Sequence, residues 1–158
     1  MILSGFTHQA TPRFTKELLV DNAVTKTGRD DYPFFFGTQN NRDSFLFTKN
    51  LDPKLVKALH PLVNETPIGE IDSIGPQPSH ATLANIKIPV LTLIGKDDEI
   101  FSSEGETADR LAFTGTRDVS FYDYPGVGHR VEFHNNGPQV TTDVVNWLKA
   151  RTAAMPSC

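Results

Sequence analysis

From residue 86 onward the apolar positions fall into regular blocks. Residues 86–94 are β-branched and leucine-rich, become apolar on both faces toward the end and stop at Gly95, a pattern that predicts a buried parallel strand. Ser103-Glu104-Gly105-Glu106 has the form of a capping box, and Ala108, Leu111 and Ala112 follow at helical spacing. Residues 118–124 alternate around Val119 and Phe121 as a second strand, and Pro125-Gly126-Val127-Gly128 turns the chain. Gly137-Pro138 opens a last helix in which Val140, Val144, Trp147 and Leu148 form one apolar stripe. Strand, helix, strand, helix with short loops predicts a right-handed α/β unit on a parallel sheet flanked by helices.

The pattern is weaker before residue 86. Ile2-Leu3-Ser4-Gly5-Phe6 is a short apolar run ending in small residues, as in a buried strand followed by a loop. Residues 15–21 predict a short helix. Phe34, Phe35, Phe36, Phe45, Leu46 and Phe47 then cluster in a stretch without a clean period. Asp52 and Pro53 supply an N-cap and a first-turn proline, and Leu55, Val56 and Leu59 recur at helical spacing, so a helix is expected over 53–60. Pro61, Pro67, Gly69, Gly75, Pro76 and Pro78 interrupt the chain beyond that helix. The expected organisation is one domain: a sheet strand over 1–6, an irregular insertion over 7–85, a regular core over 86–151 and a tail over 152–158.

Composition narrows the function classes. A chain of 158 residues with 38% hydrophobic content can bury a core, and a net charge of −4 with Lys and Arg scattered offers nothing to a phosphate backbone or an anionic lipid surface. Nucleic acid is therefore not an expected partner. The longest apolar run, Ile88 to Ile94, is too short to span a bilayer, and no targeting signal is visible at the start of the sequence. Cys158 is the single cysteine, so an internal disulfide is excluded. Asn64-Glu65-Thr66 is a glycosylation triplet, but Pro67 follows it and it does not decide the compartment. His8, His60, His80 and His134 lack metal-ligand spacing, and Val131 stands where a dinucleotide loop beginning at Gly126-Val127-Gly128 would need its third glycine. Neither a metal nor a cofactor is expected.

Chemistry concentrates after the two strands of the regular core. Asp98 follows the first and His129 the second, which places both on the carboxyl-terminal edge of a parallel sheet, where the chain leaves the packed core. An imidazole held by a buried carboxylate is fixed in one tautomer, so its other nitrogen can take up and return a proton. Glycines on both sides of Val127 let the histidine loop turn tightly. An Asp97-Asp98-Glu99 group alone reads as a solvated turn; its order and context with His129 point to a site. Phe34, Phe35, Phe36, Phe45 and Phe47 are candidate substrate-lining residues, with core packing as the competing reading.

In these residues the chain resembles the α/β-hydrolase superfamily, whose triad runs nucleophile, acid, histidine along the sequence. The resemblance places the acid three positions beyond Gly95, at Asp98 with Asp97 as the fallback, and the histidine at His129 in Gly126-Val127-Gly128-His129 before the last helix. It makes residues 2–5 the sixth strand and 7–85 the cap, so the expected fold is a partial α/β-hydrolase fold: a short parallel sheet flanked by helices with an irregular helical cap insertion. The family's Gly-x-Ser-x-Gly elbow does not occur in the sequence. Ile71-Asp72-Ser73-Ile74-Gly75 lacks the first glycine, and Phe101-Ser102-Ser103-Glu104-Gly105 reads as a helix cap. The oxyanion loop of the early strands is also missing. The resemblance therefore implies the carboxyl-terminal portion of an esterase- or lipase-like enzyme acting on a small apolar acyl or ester substrate, with the serine of the Ser-Asp-His triad absent and the chain alone inactive. Epoxide hydrolases and dehalogenases share the skeleton with a carboxylate nucleophile. The alternative is a non-catalytic truncated relative that binds or self-associates through the strand at residues 2–5.

Overall fold

Six consecutive residues, Val90 to Gly95, are buried at every position, and they form the middle strand of the main sheet. A computed structural model of the chain describes residues 1–16, 34–35, 50–59, 66–67 and 80–152. Among these, β1 (Ile2–Ser4), β2 (Phe34–Phe35), β3 (Thr66–Pro67), β4 (Val90–Gly95) and β5 (Val119–Tyr124) are strands. The helices are α1 (Pro12–Phe14), α2 (Pro53–Leu59), α3 (Gly105–Ala112) and α4 (Gly137–Thr152), with 3₁₀ turns at His80–Asn85 and Val131–Phe133.

The main sheet has the order β1-β4-β5 and is parallel throughout, with Leu3 opposite Thr92 and Thr92 opposite Phe121. Alternation along β4 divides its side chains between two cores. Leu91 and Leu93 pack with Tyr124, Val127, Val131, Val140 and Trp147, beneath α4. Val90 and Ile94 pack with Leu83, Phe113 and Phe121, beneath the end of α3 and the first 3₁₀ turn. Each fully buried Val, Leu or Ile contributes about 1.5–3 kcal/mol relative to exposure, which is why a strand apolar on both faces takes the centre. The sheet lies between helical layers, as the strand-helix-strand-helix pattern predicts.

Several local expectations are corrected. The strand expected from Ile86 begins at Val90, because the Ile86 amide closes the 3₁₀ turn on Leu83 O and Pro89 has no N–H to give a ladder. The strand at Ile2–Ser4 is not buried on both faces: Ile2 is 41% exposed, at the sheet's edge. The capping box does not close. The Ser102 hydroxyl accepts from the Glu104 amide, while the Glu106 carboxylate turns to Arg110. Leu111 is exposed, and the buried positions of α3 are Gly105, Glu106 and Asp109. In α4, Val140 and Trp147 are buried and Val144 packs beside them, but Leu148 is exposed. The helix expected over 53–60 runs from Pro53 to Leu59, whereas most of the one expected over 15–21 lies outside the described residues.

Candidate active site

The acid loop begins where β4 ends. Lys96 N donates to Tyr124 O and Asp97 N to Val127 O, so the loop stays zipped to the segment leaving β5. A Cβ on Gly95 would overlap the carbonyls of Val127 and Gly128, and this close approach is what its hydrogen permits. Asp98 is thereby delivered beside the histidine loop: its Oδ2 lies 3.0 Å from His129 Nδ1. Its other oxygen, Oδ1, accepts from the amides of Ile100 at 2.7 Å and Phe101 at 3.0 Å. The carboxylate is thus fixed on both oxygens, and the Asp98 side chain is 1% exposed against 16% for His129. Asp97, the fallback acid, contributes its amide to the loop-to-loop contact.

The histidine loop is held from several directions. The Gly128 amide donates to Nε2 of buried His134 at 3.1 Å, which requires that nitrogen to be unprotonated. Asn50 Nδ2 donates to Gly126 O, and the Asn135 amide donates to Asn50 O, fastening a distant part of the chain to the same turn. Gly5, at the end of β1, adopts φ +59, and a Cβ there would overlap the His129 carbonyl. The Phe101 ring lies 5.6 Å from the His129 ring, and the Phe6 ring 4.9 Å from Phe101.

Two titrating groups near these loops depart from ordinary behaviour. Burial raises Glu106, with Asp123 pushing the same way and Arg110 opposing; Lys96 Nζ lies 3.4 Å from Asp123 and 3.9 Å from Glu106. Burial, with the Asp143 carboxylate that its hydroxyl meets at 3.0 Å, raises the Tyr124 phenol above its usual range.

Asp98 and His129, predicted from sequence, are brought together. Only the backbones of Phe34 and Phe35 are described, pairing antiparallel with Thr66 and Pro67, and Phe36, Phe45 and Phe47 lie outside the described residues. Sequence reasoning missed Gly5, Asn50 and His134 as supports of the histidine loop. The small residue ending the first apolar run was the one available hint, for Gly5. Among the described residues no three His, Cys, Asp or Glu side chains gather as a metal site, and no helix is long and apolar enough to cross a membrane.

This arrangement can be set against known proteins. No protein-family model matches the chain, and no curated protein sequence matches it. Solved structures do. A soluble variant of monoglyceride lipase from Saccharomyces cerevisiae, in complex with a substrate analog, is similar over 94% of this chain and 52% of its own, at 15% identity and a TM-score of 0.57. A methylesterase protein, MES16 from Arabidopsis, is similar over 80% of this chain and 51% of its own, at 12% identity and a TM-score of 0.55. The fold is that of the α/β-hydrolases, in part. The chain spans about half the length of these two solved structures.

Proposed function

We propose that this chain is the carboxyl-terminal portion of an esterase- or lipase-like α/β-hydrolase, in which His129 is the general base and Asp98 orients it. The observation that carries the reading is the Asp98 Oδ2 to His129 Nδ1 contact of 3.0 Å, with Asp98 Oδ1 fixed by two backbone amides. A carboxylate so placed holds the proton on Nδ1 and leaves Nε2 to accept. In the intact enzyme a serine from beyond these 158 residues would give its proton to Nε2 as its oxygen attacks the ester carbonyl. The imidazolium then protonates the departing alcohol, and water repeats the sequence on the acyl-enzyme. The ester-cleaving names of the structural neighbours and the apolar Phe34, Phe35, Phe36, Phe45 and Phe47 favour a small apolar acyl or ester substrate, with residues 7–85 as the cap over it. No metal or cofactor enters this chemistry.

The test is turnover of a short-chain p-nitrophenyl ester by the chain alone and by the chain mixed with its candidate upstream half. The mixture is expected to turn over and the chain alone to be inactive. His129→Ala should lower the reconstituted rate by roughly 10⁴-fold or more; full retention would remove His129 from the mechanism. A second reading, a non-catalytic module that self-associates, is favoured by one observation: β1 lies at the edge of the sheet with Ile2 exposed.

A further inference from the structure

A second histidine-carboxylate pair lies buried beside the acid loop. Asp109 in α3 lies off the apolar stripe that the sequence pattern predicts at Ala108, Leu111 and Ala112, yet its side chain is 4% exposed and that of His8 6%. His8 Nδ1 lies 3.1 Å from Asp109 Oδ2, and the His8 amide donates to the same oxygen at 3.1 Å. A carboxylate is retained at such a depth only when partners replace its hydration, and His8 supplies two of these bonds. The pair therefore docks the chain after β1 onto α3.

The segment docked there is the strap that holds the acid loop. Thr7 Oγ1 donates to Ser102 O, the Ser102 amide donates to Gln9 O, and the Thr11 amide donates to Ile100 O. Ala10 bridges Phe101, and the Thr11 hydroxyl donates to Glu99 O. Residues 99–102, clamped in this way, include the Ile100 and Phe101 amides that grip Asp98 Oδ1. The rings take the same route: His8 meets Phe6 edge-on at 5.1 Å, Phe6 meets Phe101, and Phe101 meets His129.

We infer that Asp109 and His8 are a positioning pair for the Asp98–His129 couple, fixing through the strap at residues 7–11 the two amides that hold the Asp98 carboxylate behind the His129 ring. This rests on the reading of those two residues as acid and base, but its test needs no substrate. In the full 158-residue chain, hydrogen exchange is followed by NMR at the Ile100 and Phe101 amides, together with the proton on His129 Nδ1. Asp109→Ala and His8→Leu should each speed exchange at Ile100 and Phe101 by about tenfold or more and broaden the His129 ring proton, leaving the amides of β5 unchanged. If the alanine variant does not fold, Asp109→Asn, which keeps the shape, is read instead. His8→Asn, whose side-chain amide can donate near the place of Nδ1, should restore slow exchange. Unchanged exchange at Ile100 and Phe101, equal acceleration throughout the sheet, or an asparagine variant no better than leucine would each overturn the inference. Ester turnover that ignored His129→Ala, with the exchange pattern as expected, would instead sink the catalytic reading and leave the positioning of Asp98 standing.

Discussion

Gly5 and Gly126 both take left-handed backbone angles, φ +59 and +71, yet their surroundings differ. At Gly126, among the described residues, an added Cβ would meet only the Asn50 side-chain nitrogen at 3.1 Å, the end of a side chain that can shift. At Gly5 it would run into the backbone carbonyl of His129, with the imidazole Nδ1 at 3.1 Å. Gly126→Ala should therefore cost about 1–2 kcal/mol, the left-handed penalty alone. Gly5→Ala should cost more, about 3 kcal/mol, since it adds overlap that only movement of the histidine loop relieves. Urea denaturation of the two variants checks the order, and equal costs or a reversed order would mean that β1 and the histidine loop are not in the contact described.

Among elements, α3 departs furthest from what its sequence predicts, because its buried side carries Glu106 and Asp109. Burial raises Glu106 above the ordinary glutamate value of 4.5, so the native state keeps this proton to higher pH than the unfolded chain does. The unfolded state then binds fewer protons in that window, and stability falls as pH rises from 4.5 through the native value. Glu106→Gln removes the titration, and its denaturation free energy should decline less over the same window; parallel curves for the two proteins would contradict this. The middle strand and α4 were legible in the sequence because burial on two faces, or along one stripe, leaves a periodic trace at Leu91, Leu93, Val140 and Trp147. The capping box misled because a Ser-x-x-Glu spacing does not reveal that Arg110 and Lys96 compete for the Glu106 carboxylate. Asp98 and His129 were legible through their positions after successive strands. His8 and Asp109, 101 residues apart, were not, because a pairing across the fold leaves no local signature.

On the scale of the whole molecule, the parallel order β1-β4-β5 leaves β1 bonded, among the described residues, on one side to β4, with Met1 and Ile2 exposed there. Strand edges with apolar side chains recruit further strands, so the chain by itself should form dimers through residues 2–5 as concentration rises. Sedimentation velocity tests this. Ile2→Lys should shift the distribution toward monomer, and a wild-type chain that stays monomeric throughout would show the edge to be protected. The points where residues ahead of the regular core are moored to it have a different consequence. Thr11 is tied to the acid loop through Glu99 and Ile100, while Asn50 is tied to the histidine loop through Gly126 and Asn135. A change that loosens either mooring therefore reaches Asp98 or His129 through the backbone, without touching either side chain.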